Sequence, residues 1–463
     1  MGGDVIAAVS TPRGRGGVAM IRISGDGAIE CASRMFIPAG STPLAATRHA
    51  TARYGRIIMP PEGEVIDDGV CVIYRAPHSF TGEDTAEVTC HGGVLVTARV
   101  LEAAFAAGAR PAEAGEFTRR AFLSGKITLS QAEATGRLIE AKTDSQLKLS
   151  SSTARGALSA EVSDIYSNLR SLVARTYVTI DYPEEDLADI TADELRAGAV
   201  AASERLRRLC ATYKTGRAVT DGIEAVICGR PNAGKSTLFN LFAGEGSAIV
   251  TDIAGTTRDT LRADVAAGRV LLHLYDTAGL RVDNVDDPIE RIGVSRAREK
   301  ISAAELIIAV FDATEKPSDA DSELLKATVP VKIAVINKAD AAPDENISAY
   351  KALADDADTP AIVMSAAKGD GFDELVAEIE RIFTDTEIDL SSDAVLATAR
   401  QFHEAKGALV RVMGAIAALD SGLPTDIAAG ELEGALTHLA SLDGREVTEE
   451  IVSEIFSKFC VGK

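Results

Sequence analysis

Up to about residue 121, short apolar runs of strand length are separated by polar, glycine-rich stretches. Residues 5–9, 18–23, 69–74 and 86–90 are short, largely apolar runs bounded by glycine, proline and aspartate, and predict strands. Residues 94–107 predict one helix. The pattern gives an α+β module over residues 1–121. From Ser130 the period lengthens to nearly four. Ser130-Gln131-Ala132-Glu133 has the form of a capping box, as has Thr191-Ala192-Asp193-Glu194 further on, and Leu158, Val162, Ile165, Leu169, Leu172 and Val173 recur at helical spacing. The acidic break Tyr182-Pro183-Glu184-Glu185-Asp186 reads as a solvated loop between helices.

At Asp221-Gly222 the texture changes again. The apolar runs 223–228, 270–275, 331–336 and 361–364 each end in a polar or glycine-rich loop, and a helix is predicted over 372–382. Helical spacing then returns in Phe402, Leu409, Val410, Met413 and Ile416, followed by segments 427–442 and 447–459, and these stripes read as core. Neither helical portion has a boundary of its own. The predicted organisation is multidomain: an α+β N-terminal domain (1–121), an all-α helical domain in two pieces (122–220 and 385–463), and an α/β domain (221–384) inserted between them.

A chain of 463 residues is ample for two or three cores. The formal net charge of −21 argues against nucleic-acid binding over the whole surface but leaves room for a local basic groove. Cys31, Cys71, Cys90, Cys210, Cys228 and Cys460 are scattered without a CxxC pair, so neither a disulfide framework nor a zinc site is indicated. No signal peptide is recognised and the apolar runs are shorter than a membrane span, so the expected location is cytoplasmic.

The chemistry centres on Gly229-Arg230-Pro231-Asn232-Ala233-Gly234-Lys235-Ser236, between a predicted strand and the apolar helix start Thr237-Leu238-Phe239. This is the P-loop pattern in its required context. Its glycines let backbone N–H groups face phosphates at a helix N-terminus, Lys235 serves the β- and γ-phosphates, and the Ser236 hydroxyl serves Mg²⁺. Asp276-Thr277-Ala278-Gly279 ends the run 270–275, offering a carboxylate to the magnesium shell and a glycine N–H to the γ-phosphate. Asn337-Lys338-Ala339-Asp340 follows the run 331–336. Asp340 can accept from guanine N1–H and N2–H₂, a face adenine lacks, so the base is guanine. Ser365-Ala366-Ala367 supplies a loop whose backbone could meet guanine O6. Thr251-Asp252-Ile253-Ala254-Gly255-Thr256-Thr257-Arg258-Asp259 reads as switch I, with Thr257 the second hydroxyl for Mg²⁺ and Arg258 either an arginine finger or a structural residue. Leu280 stands where a Ras-like enzyme has its water-orienting glutamine. Asp283, Asp286, Asp287 and Glu290 are the acids that could replace it. The predicted α/β domain is therefore a Ras-like P-loop GTPase domain.

The P-loop, Gly255-Thr256-Thr257-Arg258-Asp259 and Asp276-Thr277-Ala278-Gly279-Leu280-Arg281 resemble the TrmE-Era family of GTPases. Gly14-Arg15-Gly16-Gly17, Phe80-Thr81-Gly82-Glu83-Asp84, His91-Gly92-Gly93, Gly115-Glu116-Phe117-Thr118 and the terminal Phe459-Cys460-Val461-Gly462-Lys463 narrow the resemblance to its tRNA-modifying branch, over the whole chain. The resemblance implies a homodimer through the N-terminal domain, an FAD-dependent partner of the MnmG type in a heterotetramer, and tRNA as substrate, with a carboxymethylaminomethyl or aminomethyl group added at C5 of the wobble uridine. It implies K⁺ in the role of an arginine finger, held by Asn232, Thr251, Ile253 and Thr256, and it selects Glu290 as the water-orienting glutamate. A tetrahydrofolate one-carbon donor, with 5-formyltetrahydrofolate as ligand, is implied at Arg22, Glu87, Lys126 and Lys463, and Cys460 falls at the branch's C-terminal cysteine. The alternative is a ribosome-assembly switch of the Era type. It would carry an RNA-binding module such as a KH domain, and none is found. Arg400, Lys406 and Arg411 are basic positions near one another that a tRNA could use.

Overall fold

A computed structural model describes residues 4–181, 190–244, 262–276, 304–326, 331–457, 459 and 462. The chain divides into two compact units, residues 1–136 with 437–463, and residues 137–436.

The first unit is α+β. Its strands are β1 (Ile6–Val9), β2 (Val18–Ser24), β3 (Phe36–Pro38), β4 (Thr51–Met59), β5 (Glu64–Tyr74), β6 (Thr85–His91) and β7 (Arg110–Pro111), in the sheet order β3-β4-β5-β6-β2-β1-β7. All pairs are antiparallel except β1 with β7. Helices Ala28–Met35 and Val94–Ala106 cover one face, and Ile21, Ile23, Ile73 and Val88 meet Ile29, Met35 and Val100 in the core. The apolar periodicity misses β4 because only Gly55 and Ile57 of that strand are buried, although it pairs with β5 from Thr51 to Met59.

The end of the chain completes this unit. In helix Glu449–Ser457, Val452 and Phe456 pack on Leu129 and Ala132, with Phe122 and Phe459 alongside. Gly115 lies under that segment at φ 63°, where a Cβ would stand 2.6 Å from the Phe456 carbonyl oxygen, so only glycine is accommodated. The Ser10 hydroxyl donates to the Gly462 carbonyl at 3.0 Å. Helix Leu129–Glu140 begins earlier than the sequence indicated. Its cap is Thr128 with Gln131, each side chain meeting the other's backbone N–H at 3.3 and 2.9 Å. Ser130 is instead inside the helix, fully buried, and donates to the Leu442 carbonyl. Two S/T-x-x-E/Q frames overlap here, and the earlier one captures the helix start.

The second unit holds a P-loop sheet and helices. Strands β8 (Ile223–Cys228), β9 (Arg262–Ala267), β10 (Val270–Asp276), β11 (Leu306–Asp312), β12 (Val331–Asn337) and β13 (Ala361–Val363) are ordered β13-β12-β11-β8-β10-β9. Only β9 runs antiparallel to its neighbour. Separate apolar cores cover the two faces, Ile227, Leu274, Ile308 and Val335 on one and Val226, Ile307, Ala309 and Ile336 on the other, as a parallel sheet requires.

Helices Ala192–Ala211 and Ala399–Asp420 pack along one another. Thr191 and Glu194 form the expected capping box. The second helix corrects the sequence reading. Its large apolar stripe is not the core face, since Val410 and Met413 are 61% and 44% exposed. The buried column is Ala405, Ala408, Val412, Ala415 and Ala418, facing a partner that buries Ala199, Ala202 and Leu206. Small side chains let the two backbones approach, and periodicity weighted by size points to the wrong face.

Within the same unit, Asp264 of β9 is 5% exposed and held by two cations and a histidine ring. Lys142 Nζ reaches it at 2.6 Å, His273 Nδ1 at 2.7 Å and Arg262 Nε at 3.2 Å, while His273 Nε2 lies 2.8 Å from the Asp221 carbonyl oxygen. A cavity of about 220 Å³ opens beside them, lined also by Ser150 and Arg137.

Candidate functional site

The phosphate loop leaves β8 at Gly229 and enters helix Lys235–Gly244 at Lys235. Gly229 and Gly234 have φ of 152° and 98°. A Cβ on Gly229 would come within 2.2 Å of the Val310 carbonyl oxygen, and one on Gly234 within 2.1 Å of Asn337 Nδ2. The loop therefore lies directly on β11 and on the start of the Asn337-Lys338-Ala339-Asp340 motif, and its chain reversal requires residues without side chains. Lys235 Nζ bridges the Gly229 and Arg230 carbonyls at 2.9 and 2.8 Å, which holds the ammonium over the loop. Thr237 follows Ser236 in the helix's first turn. Asp276 closes β10 opposite Ile227 of β8, one residue short of the strand end that feeds the loop. Burial pushes the Cys228 thiol there up to about 11, so it stays an inert core group.

Asn337 joins the phosphate side to the base side. It is 2% exposed, its Nδ2 donates to the Ala233 carbonyl at 2.8 Å, and its Oδ1 accepts from the Ala366 N–H at 2.9 Å. One side chain thus fixes the P-loop and the Ser365-Ala366-Ala367 loop together. Lys338 has φ 60° and pairs with Asp312 at 2.6 Å. Burial alone would raise the Asp312 carboxyl, but the bonds from Lys338 and Thr314 outweigh it and hold it low. Asp340 pairs with Lys368 at 3.3 Å; the Ser365 hydroxyl and that ammonium keep its carboxyl below the ordinary value. A carboxylate that stays ionised is the acceptor that a guanine edge needs. Asp312 was not singled out from sequence; its signal is a charged residue ending a buried parallel strand.

Thr251, Asp252, Ile253, Ala254, Gly255, Thr256, Thr257, Arg258, Thr277, Ala278, Gly279, Leu280, Glu290, Cys460 and Lys463 lie outside the described residues, as does the acidic break after Asp181. Among the described residues, the loop amides, Lys235 and Ser236 fit a magnesium-bound nucleotide by the chemistry of their donors and by a cradle that a Cβ would fill.

Three of the four residues expected around the folate are described, all in the first unit. Arg22 and Glu87 are directly opposite on β2 and β6 and pair at 2.8 Å. The guanidinium lies 5.4 Å from the Phe80 ring centre and 5.7 Å from that of Phe117. Burial, and then the nearby Glu87 carboxylate, raises the Tyr74 phenol. Lys126 Nζ donates to the Pro77 carbonyl at 2.9 Å, and its Cγ would stand 3.2 Å from a Cβ on Gly82. Arg22 and Lys126 therefore border the same loop, 77–82. That loop is fixed from beneath: Glu83 accepts from Ser24 Oγ and Arg120 at 3.0 and 3.1 Å, and Arg120 also pairs with Glu116 at 3.0 Å. The charged, glycine-rich motifs thus hold the loop beside Arg22 in place, and the aromatic rings beside Arg22 are what sequence reasoning missed. His91 ends β6, exposed, with Asp67 at 2.8 Å. Of the basic positions on Ala399–Asp420, Arg411 pairs with Glu431 at 3.2 Å and Lys406 lies over Phe402.

Comparison with known proteins adds the following. Residues 5–126 match the family described as GTP-binding protein TrmE N-terminus, and residues 129–460 match the MnmE helical domain. A protein of Symbiobacterium thermophilum named tRNA modification GTPase MnmE is 41% identical over 465 residues, covering 100% of both chains. One of the same name from Acetivibrio thermocellus is 38% identical, covering 99% of each. Among solved structures, Era from Aquifex aeolicus bound to GDP and aluminium fluoride is 27% identical over 42% of this chain and 67% of its own, with a TM-score of 0.29. With family matches over both its N-terminal and helical parts and relatives matched end to end, this chain belongs to the MnmE family of tRNA modification GTPases.

Proposed function

We propose that the protein hydrolyses GTP as one component of a complex that adds an aminomethyl or carboxymethylaminomethyl group to C5 of the wobble uridine of tRNA, taking the one-carbon unit from a tetrahydrofolate derivative. The observation that carries the folate assignment is the Arg22–Glu87 pair set over Phe80 and Phe117, with Lys126 on the same loop. Paired carboxylate and guanidinium groups suit a ring with N–H donors and acceptors, the aromatic side chains suit its face, and a lysine suits its acidic tail. Lys463 is proposed as a further cation of the folate site. An Era-type ribosome switch would share the G domain, whereas the relatives of this chain match it over nearly its whole length.

In the G domain, loop amides and Lys235 bind the phosphates, Ser236 and Thr257 are the hydroxyls that would hold Mg²⁺, and Asp340 reads guanine. Asn232, Thr251, Ile253 and Thr256 would hold K⁺, and the cation supplies positive charge against the charge that develops between the β- and γ-phosphates. Glu290 orients the attacking water. The protein works in the cytoplasm as a homodimer beside an FAD-dependent partner of the MnmG type; no described helix is long and apolar enough to cross a membrane.

Equilibrium binding of 5-formyltetrahydrofolate to the full chain tests the reading. Saturable binding, weakened at least tenfold in both Arg22→Ala and Lys126→Ala, is the expected result. Absence of binding to the wild type removes the folate chemistry and leaves a GTPase whose other role must be found elsewhere.

A further inference from the structure

Arg230 lies in the phosphate loop but sends its side chain away from it. Its Nε meets Asp321 at 3.1 Å, one terminal nitrogen meets Glu315 at 3.1 Å, and the other donates to the Tyr350 hydroxyl at 3.1 Å. Asp321 and Tyr350 are 2% and 1% exposed, so this is an anchor in the interior and not a surface pair. The Tyr350 hydroxyl in turn donates to Asp321 at 3.3 Å, Asp321 accepts from the N–H and hydroxyl of Ser318 at 2.9 Å each, and the Tyr350 ring stacks on Phe311 at 5.2 Å. The buried carboxylate accepts from Arg230 on one oxygen and from Ser318 and Tyr350 on the other. A guanidinium held this way, through two faces and a neighbouring hydroxyl, has little freedom left.

The backbone that Arg230 anchors is a tight turn. The Ala233 N–H bonds to the Arg230 carbonyl at 3.3 Å, Pro231 follows Arg230, and Asn232 sits at φ 64°. Proline at the second position and a left-handed asparagine at the third are the residues a type II turn selects, and the residue before a proline is held extended. The far end of the turn is fixed by Asn337 Nδ2 on the Ala233 carbonyl. The near end is fixed by Arg230. Asn232 is the apex between two clamps.

We infer that Arg230 is a positioning residue: by fastening the first residue of the turn to the buried Asp321–Tyr350 pair, it fixes where the Asn232 carboxamide stands and so sets the affinity of the loop for its monovalent cation. This rests on the potassium reading above and adds to it the group that orients the ligand.

The test is steady-state GTP hydrolysis by the full chain as KCl replaces NaCl at constant ionic strength, with GDP affinity and the thermal midpoint measured beside it. In Arg230→Ala the K⁺ concentration for half-maximal rate is expected to rise at least fivefold, and by a larger factor than any change in the Kd for GDP or in kcat at saturating K⁺. Arg230→Lys, which can keep the pair with Asp321 but not the bond to Tyr350, is expected to fall between. Tyr350→Phe keeps the ring stack and removes one link, so it folds and should shift the half-point about twofold in the same direction. An unchanged half-point in Arg230→Ala and Tyr350→Phe overturns the inference, as does a fall in kcat that is equal at every K⁺ concentration. A wild-type rate indifferent to K⁺ against Na⁺ overturns the potassium reading and this inference with it, and that control separates the two failures.

Discussion

Asn337 shows how much a single buried amide can hold. Truncation in Asn337→Ala leaves the Ala233 carbonyl and the Ala366 N–H without their partner. Each unsatisfied buried group costs about 1–3 kcal/mol. The expected result is a lower thermal midpoint together with GDP binding weakened by at least tenfold, read by calorimetry. Asp340→Asn acts on the base alone. It replaces an acceptor with a donor opposite guanine N–H groups, and about 1.5–3 kcal/mol, or ten- to a hundredfold in Kd for GDP, is the expected loss; an unchanged Kd would remove Asp340 from the base site. Residues of this kind were legible in the sequence because phosphate and guanine chemistry dictates both their type and their order. Asp312, Asp321 and Tyr350 were not. Their partners lie 26, 91 and 120 residues away, and nothing local marks a tyrosine as the end of a P-loop anchor.

Among elements, β9 is informative because it begins directly after the stretch expected to be switch I. Lys142 and His273 hold it through Asp264. Burial by itself would raise the Asp264 carboxyl, but the hydrogen bonds from Lys142 and His273 and the charge of Arg262 bring it below its ordinary value. A carboxyl whose folded value is depressed contributes stability above its unfolded value, near 3.9, and that contribution is lost as pH falls through the folded value. Wild type is therefore expected to exceed Asp264→Asn by about 1–3 kcal/mol at pH 7. The gap should narrow once the pH drops below about 4, followed by urea unfolding at each pH. A gap that stays constant to pH 3 would mean that the carboxylate charge is not what Lys142 holds. The same scale explains which elements the sequence revealed. Strands buried on both faces and helices with a capping box stand out, whereas β4, with two buried positions, and the alanine face of Ala399–Asp420 do not, because apolar size and burial part company there.

For the molecule as a whole, the two units are expected to respond to different ligands. Hydrogen exchange on the full chain with GDP at a hundred times its Kd should protect residues 223–244 and 331–340 by up to about 2.7 kcal/mol and leave residues 18–24 and 85–91 unchanged. With 5-formyltetrahydrofolate the pattern should reverse. Protection of both sets by either ligand would count against separate sites.

The first unit is closed by contacts of very long span. Ser130 meets Leu442 across 312 positions and Ser10 meets Gly462 across 452. During synthesis, at about 5–20 residues per second, the ribosome needs roughly 15–60 seconds to make residues 137–436. Throughout that interval the nascent N-terminal sheet exists without Val452 and Phe456, and the faces of Leu129 and Phe122 that they cover are open to chaperones. The G domain, whose strands all lie within residues 223–363, can finish first. The order of emergence thus makes the unit that begins the chain the last to mature.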